Sequence, residues 1–314
     1  MKTRLSAPVL VAALALGCGG ESRSSSDHSR TGGDTGPLSV YVVSQPLATL
    51  AERVGGEDVR VVFPAPPGED PAAWRPSPET VVAYQGADLI LLSGAGYATW
   101  VSQASLPTWR LIDTGAAYED RLAPVDDAVT HTHGPEGEDD HGNVAFTTWL
   151  DPTLALEQAR AIAAAFERAR PERGAAFRER LEALEAELLA LDERLREATG
   201  ALGDTPILFS HPVYQYLQRR YDLNGRSVHW EPGEEPIGRE WRKLGRLLPE
   251  HPARWMVWES TPLPSVEARL EEMGIRSVVL DPGGSASTEG DWLTIMDENV
   301  DRLGAAWSPG ERGD

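Results

Sequence analysis

One cysteine in 314 residues excludes an internal disulfide. That residue, Cys18, sits near the N-terminus, where a leftover thiol in an exported chain needs another role. Long apolar runs are also missing. Leu5 to Leu16 is too short to span a bilayer and no second run follows, so the remainder is expected to be soluble. Basic residues are outnumbered, 29 Lys and Arg against 49 Asp and Glu, and the net charge of −20 argues against a nucleic-acid partner while favouring cations modestly. No His-Glu-x-x-His zinc motif, Gly-x-Ser-x-Gly elbow or phosphate-cradling Gly-x-x-x-x-Gly-Lys loop is present. Ser210 and His211 are neighbours on an extended stretch, so their side chains diverge and make no nucleophile–base pair. The chain reads as a non-enzyme. Its ten Trp residues show no spacing that suggests a sugar platform or cation cage.

What is present begins with an export signal: Lys2 and Arg4 precede the short apolar run, which ends in Leu16-Gly17-Cys18. The segment resembles a bacterial lipoprotein signal, apart from Ala15 where that pattern usually has Leu. The resemblance implies a signal peptide over 1–17 and a lipidated Cys18 that anchors the protein to a membrane on the periplasmic or cell-surface face. A plain secretory signal with an incidental Cys is the alternative. Residues 18–37, rich in Gly, Ser, Asp and Arg, read as a flexible tether.

The rest, 41% hydrophobic and 25% charged over the chain, has globular composition, and its length suits two lobes. Strands alternate with helices from Leu38 and again from Pro206, which predicts parallel sheets covered on both faces. Between them, Phe177, Leu181, Leu184, Leu188, Leu191 and Leu195 step by four and three residues, the stripe of one continuous helix. Pro171 suits its start and Gly200 its stop. The expected fold is α/β: an N-terminal lobe over 38–170, a linking helix over 171–200, a C-terminal lobe over 201–308 and a tail over 309–314. The acidic, Gly-containing segment 114–143 interrupts the first lobe and carries His131, His133 and His141. In open α/β sheets ligands sit beyond the carboxyl ends of the strands, which here carry His211, His229, Glu231, Glu259 and Asp281.

Several stretches together resemble the metal-binding lipoproteins that deliver Zn²⁺ or Mn²⁺ to bacterial ABC importers. They are Pro66-Pro67-Gly68-Glu69-Asp70-Pro71 with Arg75-Pro76-Ser77-Pro78, then Ala87-Asp88-Leu89-Ile90, Trp149-Leu150-Asp151-Pro152, Ser210-His211 ahead of Arg219-Arg220-Tyr221, and Leu280-Asp281-Pro282. The resemblance runs from Leu38 to about Trp307. It implies two lobes joined by a rigid helix, a metal held in the cleft by three His and one carboxylate, an ABC permease as partner and a monomeric receptor. His211 matches the third His and Asp281 the carboxylate. The first His position holds Ala72 and the second Thr147, neither a usual Zn²⁺ ligand.

Either the site is rebuilt or metal binding is gone. A rebuilt site would hold Zn²⁺, or Mn²⁺, with His211, Asp281 and one or two of His131, His133, His141 and His229, while Glu231 and Glu259 support or substitute. His28 in the tether and His251 beside Pro252 are expected to be solvated. Plainer roles stand beside each of these: a solvated loop for His131 and His133, a turn cap for Asp281, a packed residue for His229, and a solvated acidic turn for Glu231, Glu234 and Glu235. A metal-free scaffold, or a receptor for an organic ligand or metal chelate, are the competing functions.

Overall fold

The computed structural model describes residues 36–125, 144–286 and 290–308, and the backbone of 131–132 and 138–139. β1 (Leu38–Val42) buries every second residue and runs into α1 (Gln45–Gly55), whose Pro46 stands in its first turn. β2 (Val59–Val62), α2 (Pro78–Gly86), β3 (Leu89–Leu92) and β4 (Leu111–Asp113) follow. The Ser77 hydroxyl caps α2 by accepting the Thr80 N–H. The four strands pair in parallel in the order β2-β1-β3-β4. The stretch after β3 forms only a short 3-10 turn, Thr99–Ser102. Gly94, Ala95 and Gly96 all have positive φ just before it, a sharp reversal that leaves no room for a regular first turn.

A two-residue antiparallel pair, β5 (His131–Thr132) with β6 (Glu138–Asp139), precedes α3 (Pro152–Ala169). Asp151 caps α3 at the Thr153 N–H and Pro152 takes its first position. α4 (Gly174–Gly200) is 27 residues long, about 40 Å. It starts three residues later than Pro171, because Pro171–Arg173 forms the tight 3-10 turn that reverses the chain out of α3. Phe177, Leu184, Leu188, Leu191 and Leu195 are buried and Leu181 half-buried.

Then come β7 (Ile207–Phe209), α5 (Gln215–Tyr221), β8 (Gly225–Ser227), α6 (Gly238–Leu247), β9 (Trp255–Trp258), α7 (Pro264–Glu272), β10 (Arg276–Val279) and α8 (Trp292–Ala306). The second sheet, β10-β9-β7-β8, is wholly parallel and repeats the strand order of the first. In each sheet the chain leaves the two central strands in opposite directions, which opens a crevice at their carboxyl ends.

One hydrophobic core joins the sheets. Val40 and Ile90 of the first, Phe209 and Val257 of the second, and the apolar faces of α1, α3, α4 and α8 belong to a single cluster. The lobes are α/β layers on a common helical spine. Among the described residues no helix is long and apolar enough to cross a membrane.

Candidate metal centre

The carboxyl ends of the second sheet bring His211, His229, Glu231, Glu259 and Asp281 to one edge. His211 lies two residues past β7, between two acids: its Nδ1 is 3.3 Å from Glu259 Oε1 and its Nε2 is 3.4 Å from Glu231 Oε1. Its side chain is 17% exposed, against 28% for Glu259 and 42% for Glu231, so the imidazole is the inner member of the three. The His229 ring stands edge-on to it, with centroids 6.2 Å apart.

His229 was expected to end a strand, but β8 stops at Ser227 and His229 has φ 63°. The Val228 and Trp230 N–H groups still bond Phe209 O, at the end of the neighbouring strand β7, and Ser210 O just past it. A left-handed residue between two paired ones is a local bulge, and it re-aims the side chain.

The electrostatics favour a cation. Burial, reinforced by the charges of Glu231, Asp70 and Asp281, pushes the Glu259 carboxyl up to about 8. Burial raises Asp281 as well, opposed by the Gly283 N–H and by Arg302. Asp281 Oδ1 accepts that N–H at 2.7 Å, and the Asn299 amide clasps the Asp281 backbone N–H and carbonyl at 3.0 and 2.7 Å. Asp281 thus carries a turn-capping role whatever else it does.

The N-terminal lobe faces this edge without a nitrogen donor at the two expected positions. Ala72 is wholly buried in the main core. Thr147 is buried and donates its hydroxyl to the Val213 carbonyl, two residues beyond His211. Next to them Trp149 Nε1 donates to Pro282 O at 2.8 Å and Gln45 N donates to Gly284 O at 3.1 Å. A Cβ on Gly284 would lie 3.3 Å from both the Tyr97 hydroxyl and the Trp149 ring, so only glycine fits there without displacement. Sequence reasoning missed Asp70. Its Oδ1 accepts the Ala72 N–H at 3.0 Å, and its charge acts on Glu259 of the other lobe and on buried Tyr97. The signal was there, two residues before the expected His, but a search for nitrogen ligands passes over it.

The described backbone of His131 pairs with Asp139; its side chain, and His133, His141, His28 and Cys18, lie outside the described residues. His251, expected to be solvated, is buried with Nε2 2.8 Å from Ile207 O, because the turn after α6 folds it under β7. Among the described residues no group of three or more His, Cys, Asp or Glu side chains stands ready to hold a metal ion.

Two like-ordered parallel sheets on a helical spine, with an imidazole and carboxylates at the mouth between them, define a solute-binding receptor. The family model for zinc-uptake complex component A, periplasmic, matches residues 40–306, and the chain belongs to that family. Its members are substrate-binding components of transport systems and not enzymes. The chain is 24% identical over 306 residues to the high-affinity zinc uptake system protein ZnuA of Bacillus subtilis, covering 92% of each. It is 24% identical over 303 residues to the manganese-binding lipoprotein MntA of the same organism, covering 94% of this chain and 89% of that one. The fold superimposes on the metal-dependent lipoprotein YcdH of Bacillus subtilis with a TM-score of 0.73 at 21% identity, covering 85% of this chain and 98% of the other. For the Zn(II)-bound ZnuA-like domain of Streptococcus pneumoniae AdcA the TM-score is 0.70 at 18% identity, over 86% and 98%.

Proposed function

We propose that this protein is the extracytoplasmic solute-binding component of a metal importer, capturing a divalent cation, Zn²⁺ first and Mn²⁺ second, between the lobes for a membrane permease. His211 is the central donor and Asp281 the carboxylate, with further nitrogen donors from His131, His133, His141 or His229. The carrying observation is His211 held between Glu231 and Glu259 at the carboxyl edge of the second sheet. The protein acts as a monomer, exported by residues 1–17, tethered through 18–37 and lipid-anchored at Cys18.

The test is metal content of untagged protein after equilibrium dialysis against Zn²⁺ or Mn²⁺. One ion per chain is expected, and His211→Ala should remove it. Stabilisation should follow: at 100 times its dissociation constant, an ion that binds only the folded chain adds about 2.7 kcal/mol. The burial of Ala72 and the engagement of Thr147 favour a second reading, a metal-free scaffold or partner-binding lipoprotein on the same fold. That reading predicts no metal and no thermal shift.

A further inference from the structure

The geometry points to a cation site built from the C-terminal lobe alone, in which Glu231 and His229 join His211 and Asp281 as donors and Glu259 is the residue that positions His211. This inference rests on the proposed metal capture and specifies how the chain achieves it without nitrogen at 72 and 147.

Donor spacing supports it. With bonds of about 2.0–2.1 Å, donor atoms on a tetrahedral ion stand about 3.3–3.4 Å apart. His211 Nε2 and Glu231 Oε1 are 3.4 Å apart, the length of one edge of that tetrahedron. Two imidazoles on one such ion have ring centres about 5 Å apart. The His211 and His229 centres are 6.2 Å apart, about 1 Å beyond that spacing, and the three donors converge only after side-chain rearrangement. Glu231 is half-exposed, and His229 occupies the bulge past β8. Asp281, the carboxylate of the proposed function, takes the fourth position.

The other nitrogen has a separate task. A ligating imidazole commonly donates its second N–H to a carboxylate, which sets ring orientation and strengthens the donor. His211 Nδ1 faces Glu259 Oε1 at 3.3 Å, on the inner side of the ring, while Nε2 faces the more exposed Glu231. Glu259 follows directly on β9, a fully buried central strand, so it is anchored more firmly than Glu231. The division is therefore a fixed orienting acid behind the imidazole and an adjustable ligating acid in front.

Substitution in the full chain, read by Zn²⁺ affinity and by the visible spectrum of the Co²⁺-loaded protein, tests both roles. Glu231→Gln and His229→Asn should each weaken Zn²⁺ at least tenfold and alter the Co²⁺ spectrum, because each changes the donor set; Asn tolerates the left-handed backbone at 229. Glu259→Gln should weaken Zn²⁺ about 10–100-fold with the Co²⁺ band positions kept, and Glu259→Asp should restore part of the loss. Melting without metal shows that each variant folds. If Glu231→Gln and His229→Asn match the parent in affinity and spectrum while His211→Ala or Asp281→Asn abolishes binding, this donor set is wrong and metal capture stands. If the unmodified protein takes up neither ion, metal capture falls and the donor set with it.

Discussion

At the scale of single residues, the two positions that depart from the family pattern have been absorbed into the structure. Ala72 sits in the core with no exposed surface, so a His placed there would overpack it and bury a polar ring. Ala72→His should therefore lose about 1–3 kcal/mol in chemical denaturation and leave Zn²⁺ affinity unimproved; a tighter site in that variant would show that the N-terminal lobe still shapes the pocket. Thr147 ties the lobes through Val213, and Thr147→Val should lose about 1–3 kcal/mol by leaving that carbonyl unpaired. Asp192 is the most heavily engaged acid of α4, receiving Arg220 at 2.8 and 2.5 Å and the Tyr221 hydroxyl at 2.9 Å. Removing it leaves the part-buried Arg220 guanidinium with the more distant Asp151 at 3.8 Å, so Asp192→Ala should lose about 3 kcal/mol.

At the scale of elements, the α4 stripe makes a paired test. Leu188 is buried and Leu189 is 49% exposed, one residue apart on the same helix. Leu188→Ala should lose about 2–5 kcal/mol and Leu189→Ala no more than about 0.5, measured by urea denaturation. The same helix carries an acid-sensitive attachment at each end. Burial would raise Asp192, but bonds from Arg220 and Tyr221 outweigh it and hold the carboxyl below its ordinary value. At Asp58 burial is likewise outweighed, by Arg173 and by Arg180 of α4. A folded value below the unfolded one adds stability above the unfolded carboxylate range near ~3.9, and that stability is lost as pH falls through the folded value. Acid unfolding should therefore be shallower in Asp192→Asn, which no longer gains from ionisation; an unchanged acid limb would refute the attachment. The Leu stripe, the Asp151-Pro152 start of α3 and most strands were legible in sequence because each rests on local periodicity or capping. The 3-10 turn at 99–102, the late start of α4 and the bulge at His229 were not, since each answers to chain reversal or pairing set elsewhere.

For the whole molecule, a continuous core and three ties across the crevice, from Thr147, Trp149 and Gln45, oppose wide opening. Solution scattering with and without Zn²⁺ should show the same radius of gyration, as adjustment is confined to Glu231 and His229; a clear contraction would reveal a hinge that these ties should forbid. Sequence by itself determined the class of protein: the strand–helix alternation, the long amphipathic helix, His211 and Asp281 at strand ends, and the missing nitrogens at 72 and 147. Only the tertiary structure decided that those two positions are sealed, that Asp70 acts across the crevice, that His251 is buried, and that Glu231 and Glu259 flank His211. The reason is physical: periodicity and caps act within a few residues, whereas the surroundings of a side chain depend on which distant strand ends the sheets bring side by side.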